Sequence, residues 1–302
     1  MKENHDKIKE EVIRLKEVYG FRGPLHYTDF SNLSSIIRIG YLCSRSLCYA
    51  NNIEFFDVCH ESEGDDFSES IKRYTRFYFV KNTNIDVLCK LNTPVCLLFS
   101  EEIVYSDLAA YSDANADFNC SDIGDDYEFF NGKIDWELVF NRRIEEEYFE
   151  GHVKEILRRK SQAELLIDEP VSIKYIKNII FRCRADYKRA CGLYGKNKMF
   201  IVEPEMFEDD RNYIMDYNIV YNGSVEKDVF ILHFCSKKPV KNDGRHEYSL
   251  YDMEGRLIRN AKVNFLESKS TDFHVEVSGL SRVPILFKFW FYGILSIEET
   301  IG

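Results

Sequence analysis

From Tyr213 to its end the chain is written in short runs, "YNIVYN", "VFILHF", "EYSLYD", "RLIRNAKVNF", "DFHVEVSG" and "ILFKFWFYGIL". Side chains that alternate with a period of two suit a pleated strand with one buried face. Turn-forming stretches such as "NDGR" and "MEGR" separate the runs, a spacing that predicts an all-β, sandwich-like module. The residues before them have another texture, in which helix-length stretches mix with strands. The chain therefore reads as two domains, 1–207 of mixed α+β character and 208–302 all β.

Within the first part, Ile8, Val12, Leu15 and Val18 form a stripe among charges and predict an amphipathic helix stopped by Gly20. "PLHYTD" reads as a short strand. "SNLSSIIRIGYL" reads as a helix with Ser31 as N-cap, Leu33, Ile36 and Ile37 facing the core, and Gly40 as its stop. "RYTRFYFV", "PVCLLFS" and "QAELLI" are rich in aromatic or branched residues and read as strands. "DWELVF", residues 142–157 and "ADYKRACGLYG" read as helical, and "SIKYIKNIIFR" as a strand with its entry turn. "CHESEGDDFSES" and "AAYSDANADFNCSDIGDDY" lack periodicity and read as polar loops.

Composition narrows the function classes. No apolar run is long enough to span a bilayer, and the first twenty residues hold no apolar signal core, so a cytoplasmic protein is expected. Nine cysteines without a CxxC pair or a Cys/His ligand spacing suit free thiols and no metal site. A net charge of −11 argues against nucleic acid as a partner, yet the cations are unevenly placed. Between Ser172 and Met199 the sequence carries Lys174, Lys177, Arg182, Arg184, Lys188, Arg189, Lys196 and Lys198 against one acid, Asp186. Such a segment can line a phosphate-binding groove, or it can pair with the acidic loops.

"RRKSQAELLI" adds Arg158, Arg159 and Lys160 and then sets one carboxylate, Glu164, where an apolar strand begins. The residue is either a strand-end acid paired with Arg158 or Arg159, or a catalytic group on a rigid element. His26 and Thr28, two apart on a strand, share a face. "LHYT", "NLSSII" with Gly40, "RFYF" and "AELLI", in that order, resemble the DarT family of NAD-dependent ADP-ribosyltransferases, over about residues 24–185.

The resemblance implies an α+β ADP-ribosyltransferase fold, a split mixed sheet with helices, ahead of the all-β sandwich-like domain. It implies NAD as substrate and a base in single-stranded DNA or RNA as acceptor. Glu164 is then the catalytic acid, with Tyr78 stacking on nicotinamide, and His26, Thr28, Asn32 and Gly40 forming the NAD site. The family carries P-R-S-P after its aromatic strand, where this chain has Lys81 and Asn82, so Arg76 (or Arg73) is expected to supply the missing guanidinium. Arg158, Arg159, Lys160, Arg182, Arg184, Lys188 and Arg189 are the expected nucleic-acid contacts. The resemblance also implies a toxin in a toxin–antitoxin or anti-phage system, with an antitoxin and a chaperone as partners. An inactive transferase fold that binds proteins, or a protein-directed transferase, is the alternative. Gln162, two residues before Glu164, fits either class of acceptor.

Overall fold

The structure is a computed structural model and describes residues 5–57, 70–81, 88, 90–117, 121–141, 151–221, 228–265, 270–280 and 284–301. It divides into two compact units, Met1–Ile179 and Ile180–Gly302, whereas the sequence reading drew its domain boundary near residue 207.

Unit 1 opens with helix α1 (His5–Tyr19), which buries Ile8, Val12 and Leu15. Val18, expected on the same stripe, is 59% exposed, because the apolar face ends one turn before the helix does. Gly20 follows with φ 71. Strand β1 (Leu25–Asp29) runs into a short 3-10 turn whose cap is Asp29, not Ser31; the Asp29 side chain accepts from the Ser31 N–H. Helix α2 (Leu33–Ile39) then buries Leu33 and Ile36 and stops at Gly40, which has φ 82. Strand β2 (Tyr41–Leu42), helix α3 (Arg45–Ala50), and strands β3 (Thr75–Tyr78), β4 (Pro94–Phe99), β5 (Ala109–Ser112) and β6 (Ile123–Gly124) follow. Helices α4 (Tyr127–Gly132), α5 (Trp136–Phe140) and α6 (Gly151–Lys160) precede β7 (Glu164–Ile167), β8 (Val171–Ser172) and β9 (Ile176–Phe181).

The main sheet of this unit has the order β9-β4-β1-β3-β7-β5-β6. Leu97 and Phe99 on β4, Phe77 on β3, Leu165 on β7 and Tyr111 on β5 are all fully buried. The sheet is mixed in order and carries helices, the α+β architecture expected. Strands β5 and β6 lie in a stretch read as loop. They form because Ala109, Tyr111 and Ser112 are buried against β7, a long-range gain that local composition does not show.

Unit 2 begins within β9 and continues through α7 (Arg184–Tyr194) and β10 (Phe200–Val202). Strands β11 (Ile214–Tyr221), β12 (Asp228–Ser236), β13 (Glu247–Tyr251), β14 (Leu257–Lys262), β15 (Asp272–Leu280), β16 (Ile285–Phe291) and β17 (Ile294–Ile301) complete it. They make two antiparallel sheets, β11-β12-β15 and β14-β13-β16-β17. Tyr217, Leu232, Phe234 and Val277 from one sheet and Leu250, Phe287, Phe289 and Ile297 from the other share a single core with Cys183 and Ala185. This is the sandwich that the alternating runs predict.

Candidate active site

Strand β1 pairs with β4 along its whole length, from Leu25↔Leu98 to Asp29↔Pro94, but meets β3 at one position, Leu25↔Tyr78. Past that rung the sheet opens, and His26 stands in the gap. Its Nδ1 lies 2.9 Å from the carbonyl oxygen of Arg76. A carbonyl can only accept, so Nδ1 carries the proton. Burial pushes the His26 pKa down, so the ring is neutral and Nε2 presents a lone pair. Two residues on, Thr28 Oγ1 accepts from Asn32 Nδ2 at 3.0 Å, and Asn32 Oδ1 accepts from the Phe56 N–H at 2.6 Å. Asn32 thereby ties β1 to the segment after α3.

Beside the opening lies a cavity of about 200 Å³, lined in part by His26, Thr28, Asn32, Arg45, Arg76 and Asp117.

Glu164 is the first residue of β7, opposite Tyr78 on β3 and Ser112 on β5. It is fully buried, at 0% exposure. The cation beside it is Arg76. The Arg76 Nε donates to Glu164 Oε2 at 2.8 Å and its Nη2 to Oε1 at 2.8 Å, a bidentate fork. Arg76 Nη1 donates to Asp117 Oδ2 at 2.7 Å. Arg158 and Arg159, the alternative partners of Glu164, both bond Glu155 instead. Burial raises the Glu164 pKa above the ordinary carboxylate value, and the adjacent guanidinium opposes it. Burial works to lower the Arg76 pKa, but the charges of Glu164 and Asp117 carry it well above its ordinary value. A buried acid whose pKa is raised by its surroundings holds a proton more readily than an exposed carboxylate does, and the cation beside it fixes its position.

The structure brings His26, Thr28, Asn32, Arg76 and Glu164 together and separates them from others expected with them. Tyr78 is half-buried, with its ring centroid 6.5 Å from that of Tyr27, and does not line the cavity. Gly40 supplies the left-handed turn that ends α2, and its carbonyl accepts from the Ile173 N–H. It too lies off the cavity wall, so its role is to stop the helix. Lys160 reaches Asp113 at 3.7 Å. Of the expected basic stripe, Arg182 is buried and bonds Asp186 and Asp209, both at 2.8 Å. Arg189 is also buried, on the Leu295 carbonyl and beside Glu298, and Arg184 and Lys188 pair with Asp216. Burial removes Arg182 and Arg189 from any nucleic-acid surface: they answer acids within unit 2. Asn82 lies outside the described residues. Asp117, which sequence reasoning passed over, sits in the non-periodic polar stretch, and only its contact with Arg76 singles it out.

The sheet thus splits beside an Arg–Glu pair, of which the half-buried Arg76 lines the cavity and Glu164 lies behind it. A family model described as "ssDNA thymidine ADP-ribosyltransferase, DarT" matches residues 25–208. The chain belongs to this family of ADP-ribosyltransferases. Among solved structures it is similar to Thermus sp. 2.9 DarT in complex with NAD+, at 14% identity and a TM-score of 0.47, covering 61% of this chain and 96% of that one. It is similar to Thermosipho africanus DarTG in complex with ADP-ribose, at 18% identity and a TM-score of 0.50, covering 64% of this chain and 53% of that one. At that identity the likeness to the Thermosipho structure concerns the fold alone. No curated protein matches the sequence.

Proposed function

We propose that the chain transfers ADP-ribose from NAD to a thymidine base in single-stranded DNA. The observation that carries this reading is the Arg76–Glu164 fork beside the cavity, inside the segment that the family match covers. In the reaction the bond between the nicotinamide nitrogen and C1′ of its ribose breaks, and the electron pair leaves with nicotinamide. Positive charge builds on the ribose, as in glycoside hydrolysis. A base nitrogen bonds to C1′ and loses its proton to the Glu164 carboxylate. The lone pair on His26 Nε2 accepts from a ribose hydroxyl, and Thr28, already an acceptor for Asn32, keeps its hydroxyl hydrogen to donate. Arg76 takes the part of the arginine that the family carries after its aromatic strand.

The neighbour with a DNA product, Thermus sp. 2.9 DarT in complex with ADP-ribosylated ssDNA, supports DNA as the acceptor to test first. We read the activity as that of a toxin restrained by an antitoxin, with the β sandwich of unit 2 as the accessory, partner-binding part of a cytoplasmic protein. The test is radiolabelled NAD with purified chain and single-stranded DNA, RNA or neither, followed by mass spectrometry of the nucleosides. Label on thymidine is the expected result. Label on RNA alone would replace DNA by messenger RNA, and label on the protein alone would replace nucleic acid as acceptor.

A further inference from the structure

Glu164 does not line the cavity; Arg76 does, and stands between the two. Both oxygens of the acid are covered by the guanidinium fork. A carboxylate so enclosed cannot reach a ribose hydroxyl or a base proton until the guanidinium moves. A guanidinium leaving a buried carboxylate strands two charges in a medium of low dielectric, a costly step unless another anion receives it. One anion is already in contact with it. Asp117 is on the cavity wall, its side chain is 50% exposed, and it accepts from the Arg76 nitrogen that Glu164 does not use.

We propose that Asp117 is a positioning residue: it draws Arg76 off Glu164 as substrate enters and so uncovers the catalytic acid. Rotation of the guanidinium toward Asp117 keeps one ion pair intact throughout while freeing the other. The backbone that carries the receiving carboxylate is anchored. The Asp117 N–H donates to Asn115 Oδ1 at 3.1 Å, Asn115 Nδ2 donates to Gln162 Oε1 at 3.0 Å, and the Asn115 N–H donates to the Arg159 carbonyl at 2.8 Å. Although burial works to raise it, Arg76 and then Arg45 and Arg159 hold the Asp117 pKa below its ordinary value, so it is a carboxylate when substrate binds.

This inference rests on the transferase reading, and its test has an arm that does not. The full chain, Asp117→Asn and Asp117→Glu are compared for NAD turnover with a single-stranded oligonucleotide. The Arg76 side-chain N–H signals, assigned with Arg76→Lys, are followed in nitrogen-15-labelled protein with and without NAD. In Asp117→Asn, kcat should fall about tenfold or more while KM for NAD stays within about twofold. Asp117→Glu should regain most of the rate, and NAD should shift the Arg76 signals in wild type but not in Asp117→Asn. Unchanged kcat with unchanged signals overturns the proposal, as does a parallel loss of kcat, KM and thermal stability, which would mark a merely structural role. Wild type that leaves NAD intact removes the transferase reading, and the hold of Asp117 on Arg76 is then decided by the Arg76 signals alone.

Discussion

At the scale of single residues, Glu164→Gln keeps the shape of the side chain and removes its charge. Transfer should fall by about a thousandfold, since the proton acceptor is gone, while circular dichroism stays native. Glu164→Ala leaves the half-buried Arg76 guanidinium, still held by Asp117, without its second partner and should in addition lower stability, read by denaturant titration. His26→Ala should raise KM for NAD more than it lowers kcat. Because burial holds the His26 pKa below its ordinary value of about 6.5, the acceptor nitrogen persists at neutral pH. KM for NAD should therefore stay flat above neutrality and climb only in acid, where Nε2 gains a proton, and His26→Ala should abolish that climb. Glu164 and His26 could be read from their motifs. The partner of Glu164 could not, because Arg76 meets it across a strand pair, Arg76↔Leu166 and Tyr78↔Glu164, that no local spacing encodes.

At the scale of elements, what placed the strands in the sequence was alternation, and it failed where a strand is short or a turn is tight. "ILFKFWFYGIL" reads as one strand but is two. Tyr292 and Gly293, at φ 51 and 77, form a hairpin turn that pairs β16 with β17. The aromatic run is thereby placed between β13 and β17, with Ile285, Phe287, Phe289 and Phe291 buried. Strand β5 was missed because Ala109 and Ala110 have little strand preference of their own; Ile167 and Leu166 opposite them supply it. Just before β1, Gly23 has φ 133, and a Cβ there would come within 2.0 Å of the Phe99 carbonyl oxygen. Gly23→Ala must push β1 away from the end of β4. A loss of about 2 kcal/mol or more in thermal unfolding, with a raised KM for NAD, is expected because β1 carries His26.

At the scale of the whole molecule, the sequence changes texture after residue 207, whereas the compact units divide between Ile179 and Ile180. The segment between belongs with the sandwich: Cys183 and Ala185 share its core, and Arg182 is held by Asp209. A chain ending at residue 207 leaves these groups without partners and should aggregate on gel filtration. Asp209 gives unit 2 an acid limit. Burial works to raise its pKa, but Arg211 and Arg182 bring it down to about 2, against an ordinary value of about 3.9 in the unfolded chain. Its contribution is complete above the unfolded value and is lost as pH falls toward 2, so Asp209→Asn should flatten the acid limb of stability against pH. Unit 1 has a different weak point. Among the described residues the leaves β9-β4-β1 and β3-β7-β5-β6 meet at a single rung, helped by one imidazole bond. A ladder of many rungs resists twisting; one rung is a pivot. Hydrogen exchange should therefore show the amides of Leu25 and Tyr78 opening through a breathing motion of the slot, well below the free energy at which β4 gives way.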